Sequence, residues 1–320
     1  MKKIAFLVLV LFNTYLLADF VTIYRTMGIE EVQKELDRQL KSEEYWNKYL
    51  ENVDVRYGYY ESKKYVLVAD KLSKKFELFK REDKKFLKLL TQTMISGEKD
   101  GDKFLEGDLK TPIGAYRLTR KLTKLDQFYG PLALVTNYPN TFDKSLNKEG
   151  HGIWIHGMPF EETRSDYTKG CIALDNESLV ILDKSINYDE SVLLISEKDI
   201  EPTTKKEMSE VLAFIFSWTD AWRVSDVDKY LAYYSKDFKR ANGQDFDAFK
   251  KQKEYIFSRK EEKTIDFSNI NIMPYPNSFN KKMFKIVMDE HYKTNSYLFD
   301  GVKELYIQLE NGKISILSEG

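Results

Sequence analysis

Residues 28–50, "GIEEVQKELDRQLKSEEYWNKYL", set apolar Ile29, Val32, Leu36 and Leu40 at steps of three and four on an otherwise charged surface. That period predicts an amphipathic helix from Gly28 to about Leu50. Its stripe needs a partner, either the domain that follows it or a second copy of itself. The pattern then changes. "KYVLVADKLSKKFELFKRE" alternates Phe76 and Leu78 with Lys75 and Glu77, which predicts two strands around a polar turn. Shorter strand-like pieces follow at 115–118, 133–136, 153–155 and 192–195, separated by "TPIG", "YGP" and "NYPN". Together they predict a mostly β domain over 59–201. The composition turns polar at "EKDIEPTTKKEMSE", so a linker is placed near 199–205, with Thr204 as a cap for the next helix. "EVLAFIFSWTDAWRVSDVDKYLAYYSKDF" predicts two helices, the second capped by Ser225 or Asp226. "MFKIVMDEHYK" and "SYLFDGVKELYIQLENGKISIL" then read as strands. Helices followed by antiparallel strands predict an α+β domain over 205–320. The fold class is therefore multidomain, with a helical segment over 19–58, the mostly β domain, and the α+β domain.

The N-terminus changes the setting. Lys2 and Lys3 precede a run from Ile4 to Leu17 that is apolar apart from Asn13, Thr14 and Tyr15, and Ala18 stands before Asp19. This is the pattern of a signal peptide over 1–18, too short and interrupted for a stable membrane span. Leu16, third before the cut, leaves uncleaved anchoring open. Removing Lys2 and Lys3, in a segment with no acid, takes the formal net charge from −1 to −3. The 50 basic and 51 acidic residues form no long single-sign run, which argues against a nucleic-acid partner. A single cysteine cannot make an intramolecular disulfide, and in an exported protein a lone thiol is either buried or used.

Candidate chemistry gathers in "HGIWIHGMPFEETRSDYTKGCIAL", residues 151–174, which holds that cysteine, Cys171. Period-two alternation places Ile153 and Ile155 on one face and Trp154 and His156 on the other. His156 ends the strand, and Gly157 lets the chain turn. His151 lies five residues from His156, so the two face opposite ways, and His291 belongs to the other domain. No metal or organic cofactor is expected. Glycine before cysteine allows two successive amides, Gly170 and Cys171, to converge on an oxyanion. His156 is the base that a thiol nucleophile requires. Lys169 either adds positive charge beside the sulfur or is a solvated surface lysine.

Four motifs occur in order: "GDLKTPIGAYRL" (107–118), "PLALVTNYPN" (131–140), "GIWIHG" (152–157) and "TKGCIAL" (168–174). In this the chain resembles the YkuD-type L,D-transpeptidase catalytic domain over about 140 residues. The resemblance implies a β-rich, sandwich-like domain acting on peptidoglycan stem peptides. Cys171 would be the nucleophile and His156 the general base and acid. The Gly157 carbonyl would orient His156, and the Gly170 N–H would serve the oxyanion. Tyr138, Trp154, Arg164, Thr168, Lys169 and Ala173 would border the substrate. Many members have a histidine where Lys169 stands and an arginine where Ala173 stands; these departures favour a hydrolytic specialist, with Arg164 or Lys169 compensating. The C-terminal region resembles an NTF2-like domain, whose pocket Trp218, Trp222, Tyr230, Tyr234, Tyr292 and Tyr306 could line, although core is the commoner fate of each. The combination resembles the cell-shape-determining L,D-carboxypeptidases of helical Gram-negative bacteria. It implies a periplasmic enzyme that trims muropeptides, with a homodimer through the N-terminal helix. An L,D-transpeptidase that forms cross-links and a non-catalytic murein-binding scaffold are the alternatives.

Overall fold

A computed structural model describes residues 20–160 and 166–320. The predicted signal peptide and Arg164 lie outside the described residues. Among the described residues no helix is long and apolar enough to cross a membrane.

Three helices open the chain: α1 (Phe20–Met27), α2 (Ile29–Leu40) and α3 (Glu43–Tyr49). The single helix expected over 28–50 is thus two, because Ser42 starts a new one by accepting the Tyr45 amide at 3.3 Å. One partner is a domain other than the one that directly follows. Trp46 and Leu50 enter the core of the C-terminal domain, where Trp46 stacks on Phe216 at 5.6 Å. Lys41–Asp220 (2.8 Å) and Arg223–Asp37 (3.3 Å) tie the same surfaces. Of the stripe itself, Leu40 packs against that core and Val32 is buried, while Ile29 and Leu36 stay exposed.

The chain next forms β1 (Tyr59–Tyr60), β2 (Tyr65–Asp70), β3 (Lys75–Glu82), β4 (Lys85–Thr93), β5 (Gly114–Tyr116), β6 (Leu118–Leu122), β7 (Ala133–Thr136), α4 (Thr141–Ser145), β8 (Trp154–His156), β9 (Ile172–Ala173), α5 (Asn176–Ser185) and β10 (Ser191–Ser196). One sheet has the order β4-β3-β2-β10-β5, with β2 and β10 parallel; a second has β6-β7-β8-β9. Leu67, Phe76, Leu78, Leu193 and Ile195 of the first sheet meet Leu134, Ile155 and Ile172 of the second, with Leu179 and Leu182 of α5. The first sheet is buried on its other face as well. There Val66, Val68, Phe79, Val192 and Leu194 pack against Met273, Tyr275, Met283, Tyr306 and Leu317 of the C-terminal domain. Burial on both faces explains why "YVLVAD" and "SVLLIS" are continuous apolar runs.

The C-terminal domain comprises α6 (Lys205–Arg223), α7 (Val227–Leu231), α8 (Phe246–Ser258), β11 (Thr264–Pro274), β12 (Met283–Lys293), β13 (Leu298–Glu310) and β14 (Lys313–Glu319). Thr204 caps α6 in a reciprocal capping box with Glu207, and Asp226 caps α7. The sheet order is β1-β11-β12-β13-β14. β1 therefore belongs here, and not to the β domain in which residue 59 was placed. Tyr59 and Tyr60 pair with Ile272 and Asn271, and the Asn271 Oδ1 receives the amides of Ser62 and Lys63. The chain enters the β domain only after that pairing ends.

Candidate active site

β8 and β9 run parallel, with Ile155 opposite Ile172 and His156 opposite Ala173. Continuing this register by one residue puts Cys171 opposite Trp154, so Trp154, His156, Cys171 and Ala173 share one face. The thiol sulfur lies 3.4 Å from the Trp154 amide, which donates to it, and 3.4 Å from the Gly152 carbonyl, to which the thiol donates. His156 is buried, and its Nδ1 lies 2.8 Å from the Gly157 carbonyl. A carbonyl can only accept, so Nδ1 carries the proton and Nε2 is the ring's basic nitrogen.

Two neighbours that the sequence reading missed hold this histidine. Tyr129 sets its ring edge-on to His156 at 5.1 Å and to Trp154 at 5.3 Å, while its carbonyl receives the Gly157 amide at 2.9 Å. Asn176 brackets Met158, two residues on, accepting from its amide at 2.8 Å and donating to its carbonyl at 3.1 Å. A β-carbon on Gly157 would lie 2.2 Å from Asn176 Oδ1 and 2.9 Å from Pro131 Cδ, so the turn after His156 requires glycine. The only sequence signal for Tyr129 was its place before "GP", and an aromatic beside a turn is unremarkable.

The nucleophile turn is held from inside. Thr168 is buried; its hydroxyl donates to the Cys171 carbonyl at 2.7 Å and accepts the Gly170 amide at 3.0 Å. This corrects two expectations. The Gly170 N–H is committed to Thr168 and is not presented to an oxyanion, and Thr168 shapes the turn instead of bordering the substrate. Gly170 is required for another reason. Its φ is +134°, and a β-carbon there would approach the Lys110 carbonyl to 2.8 Å. Residues 95–98 brace the opposite side. Ile95 exchanges both backbone hydrogen bonds with Ala173, and Thr168 bonds Ser96 and Glu98.

Two further expectations fail on burial. Ala173 is fully buried. Tyr138 is also buried and donates its hydroxyl to the Glu149 carbonyl at 2.9 Å, and desolvation raises its pKa far above the ordinary phenol value. Neither can border a substrate; both are packing residues of the motifs that contain them. Trp154 is half-buried at the site and Lys169 is exposed beside the nucleophile. His151 is exposed, and His291 pairs with Asp300 at 2.6 Å in the C-terminal domain.

That domain has a pocket of about 360 Å³ lined by Trp222, Lys253, Glu290, Tyr292, Tyr297 and Phe299 among others. Of the six aromatics expected, Trp222 and Tyr292 reach it. Trp218, Tyr230 and Tyr234 are buried in the domain's core, and Tyr306 lies in the cluster between the domains. Lys253 stands with its Nζ 5.0 to 5.2 Å from the ring centres of Trp222, Tyr230 and Phe249, and burial lowers its pKa to about 8.

A two-sheet domain that sets a thiol and an imidazole on one face, joined to a helix-and-sheet domain, defines an L,D-transpeptidase-type protein with an NTF2-like appendage. Residues 64–185 match the L,D-transpeptidase catalytic domain (YkuD), and residues 210–320 match the Cds6 C-terminal NTF2-like domain. The helical cell shape determining protein Pgp2 from Campylobacter jejuni is 39% identical, covering 88% of this chain and 99% of its own, with a TM-score of 0.83. A lysine-to-alanine variant of Pgp2 gives 38% identity over the same shares and a TM-score of 0.85. Bdellovibrio bacteriovorus Bd1075 is 27% identical, covering 83% of this chain and 96% of its own, with a TM-score of 0.65. No curated protein sequence matches. The chain belongs to the YkuD L,D-transpeptidase family and carries a C-terminal NTF2-like domain.

Proposed function

We propose that this protein is a periplasmic peptidoglycan L,D-carboxypeptidase that removes the terminal D-Ala from stem tetrapeptides. One observation carries the reading: the Cys171 thiol and the His156 imidazole share a face of two paired strands, with the His156 Nδ1 proton committed to Gly157. In the proposed reaction the Cys171 proton passes to His156 Nε2, and the sulfur attacks the carbonyl of the diaminopimelate–D-Ala bond. The tetrahedral intermediate collapses, the C–N bond breaks, and His156 returns the proton to the departing amine. Water then loses a proton to His156 and attacks the thioester. The C–S bond breaks and His156 returns that proton to the departing sulfur, leaving a tripeptide stem and the free thiol.

Transfer of the same thioester to an amine of another stem would form a cross-link. Hydrolysis is favoured by the motif's departures: lysine at 169, exposed, and alanine at 173, buried, where many members have histidine and arginine. The aromatic pocket of the C-terminal domain is suited to a glycan or peptide portion of the wall. Tyr24, Met27 and Ile29 stay exposed along α1 and the start of α2, and they are the surface we assign to a second copy in a homodimer. The relative Pgp2 is named for helical cell shape, which leads us to place the biological output in cell curvature.

Digestion of purified disaccharide-tetrapeptide with residues 19–320, wild type beside Cys171→Ala, tests the reading by mass spectrometry. Loss of one alanine with wild type only supports it. A cross-linked dimeric product would make the protein a transpeptidase. Equal murein binding by both folded proteins, with no change in the substrate, would make it a scaffold.

A further inference from the structure

Within the catalytic domain, a buried ionic cluster lies between residues 110–113, which back the nucleophile turn, and the C-terminal domain. Lys148 is buried, with its Nζ 2.7 Å from Asp102 Oδ2 and 2.9 Å from Asp143 Oδ1. Both aspartates are buried, and desolvation raises the pKa of Asp102 despite the lysine. One ammonium faces two carboxylates, so the cluster needs further donors. Asp102 Oδ1 takes the Ile113 amide at 2.8 Å. On the other side stands Tyr275, from the segment after β11. Its hydroxyl lies 3.5 Å from Asp143 Oδ1 and receives Asn140 Nδ2 at 3.2 Å. Asn140 and Asp143 form the capping box of α4, and Phe142 between them packs on the rings of Tyr275 (5.5 Å) and Tyr306 (5.3 Å).

From Ile113 the contacts lead to the turn that carries Cys171. Ile113 belongs to "TPIG", residues 111–114. Thr111 is fully buried, and its hydroxyl accepts the Gly97 amide at 2.8 Å. Gly97 bridges Thr168, whose hydroxyl holds the Cys171 carbonyl. The Lys110 carbonyl is the surface against which Gly170 is pressed. At the far end of the motif, a β-carbon on Gly114 would lie 2.9 Å from both the Tyr116 and Tyr275 hydroxyls. The motif is therefore clamped between the nucleophile turn on one side and a tyrosine of the other domain on the other.

We infer that Tyr275 of the C-terminal domain is a positioning residue for catalysis, acting through the Asp102–Lys148–Asp143 cluster and residues 110–113 on the turn that carries Cys171. The C-terminal domain is then part of the apparatus that shapes the nucleophile, in addition to any ligand it holds. The inference deepens the carboxypeptidase reading and rests on it for the catalytic readout, while thiol reactivity tests it independently.

The test uses full-length mature protein with Tyr275→Phe, which keeps the ring and removes the hydroxyl, and Lys148→Met. Circular dichroism reports folding. The pH profile of Cys171 alkylation by iodoacetamide and the kcat and KM for disaccharide-tetrapeptide report the site. Tyr275→Phe is expected to stay folded, to slow alkylation across the profile, and to lower kcat with KM little changed, by roughly two- to thirtyfold. The double variant should lose less than the product of the two single losses, because both act on one cluster. Should Lys148→Met fail to fold, Tyr275→Phe decides alone. Wild-type alkylation and wild-type kcat in folded Tyr275→Phe would overturn the inference and leave the carboxypeptidase reading intact. Slowed alkylation by Tyr275→Phe, in a protein whose wild type cleaves nothing, would uphold the positioning role and sink the reaction.

Discussion

Replacing Thr168 by valine keeps the shape of the side chain and removes both hydrogen bonds that close the nucleophile turn. The Gly170 amide (3.0 Å) and the Cys171 carbonyl (2.7 Å) then face a methyl group. Thr168 is 4% exposed, so water cannot replace the hydroxyl without displacing the turn. A buried polar group left unpaired costs about 1–3 kcal/mol, so two place the local cost at roughly 2–6 kcal/mol. The chain holds two domains, and a single unfolding midpoint would dilute a local loss. The sharper assays are hydrogen exchange of the amides around 168–173 and the alkylation rate of Cys171. We expect faster exchange, slower alkylation, and a loss of roughly tenfold or more in kcat/KM for each 1.4 kcal/mol of misplacement felt in the transition state. Thr168→Ser restores both partners and should behave nearly as wild type. Two results would refute the reasoning. One is a Thr168→Val protein that exchanges and alkylates as wild type. The other is a valine variant with increased turnover, which would mean that the Gly170 amide serves the oxyanion once released from Thr168.

Gly157→Ala should displace the carbonyl that holds His156 Nδ1, because the new methyl group would lie 2.2 Å from Asn176 Oδ1; we expect kcat to fall at least about tenfold and the pH–rate profile to shift. Lys253→Met should stabilise the C-terminal domain at pH 7. The folded pKa of about 8 lies below the ordinary lysine value of 10.5, so the folded state bears the full cost of charging below pH 8, by up to about 3 kcal/mol. That advantage should shrink as pH rises from 8 and vanish above 10.5, where both states are neutral; a gain in thermal midpoint that is the same at pH 7 and pH 11 would contradict it. Trp46→Ala should release α2 and α3 from the C-terminal domain at a cost of about 3–5 kcal/mol, read as early proteolysis within residues 20–55.

The strand that carries His156 was legible because period-two alternation survives in three residues, and Thr204 was legible because the composition turns polar just before a helical run. Other expectations named the right residue for the wrong reason. Gly170 is indispensable through its approach to the Lys110 carbonyl, and its amide is occupied. A glycine in sequence says that something comes close, without saying what. Tyr138 and Ala173 entered the substrate list because they sit in the motifs, but a motif marks positions under constraint, and packing constrains as strongly as catalysis. The Asp102–Lys148–Asp143 cluster left no trace at all. Among 50 basic and 51 acidic residues, nothing local distinguishes the few that tertiary folding will bury.

The two-faced burial of the sheet β4-β3-β2-β10-β5 bears on how such a protein can be cut. A fragment ending near residue 201 would bare Val66, Val68, Phe79, Phe142, Val192 and Leu194 as a continuous apolar surface, the kind that drives aggregation. It would also lose α6, on which Trp46 of α3 stacks, and the sheet that β1 joins. The two halves are thus separable as motifs in a sequence but not as objects in a test tube. Recombination that exchanged one half for a foreign one would have to supply a matching apolar face at the same moment. Lineages that keep either half should therefore tend to keep both.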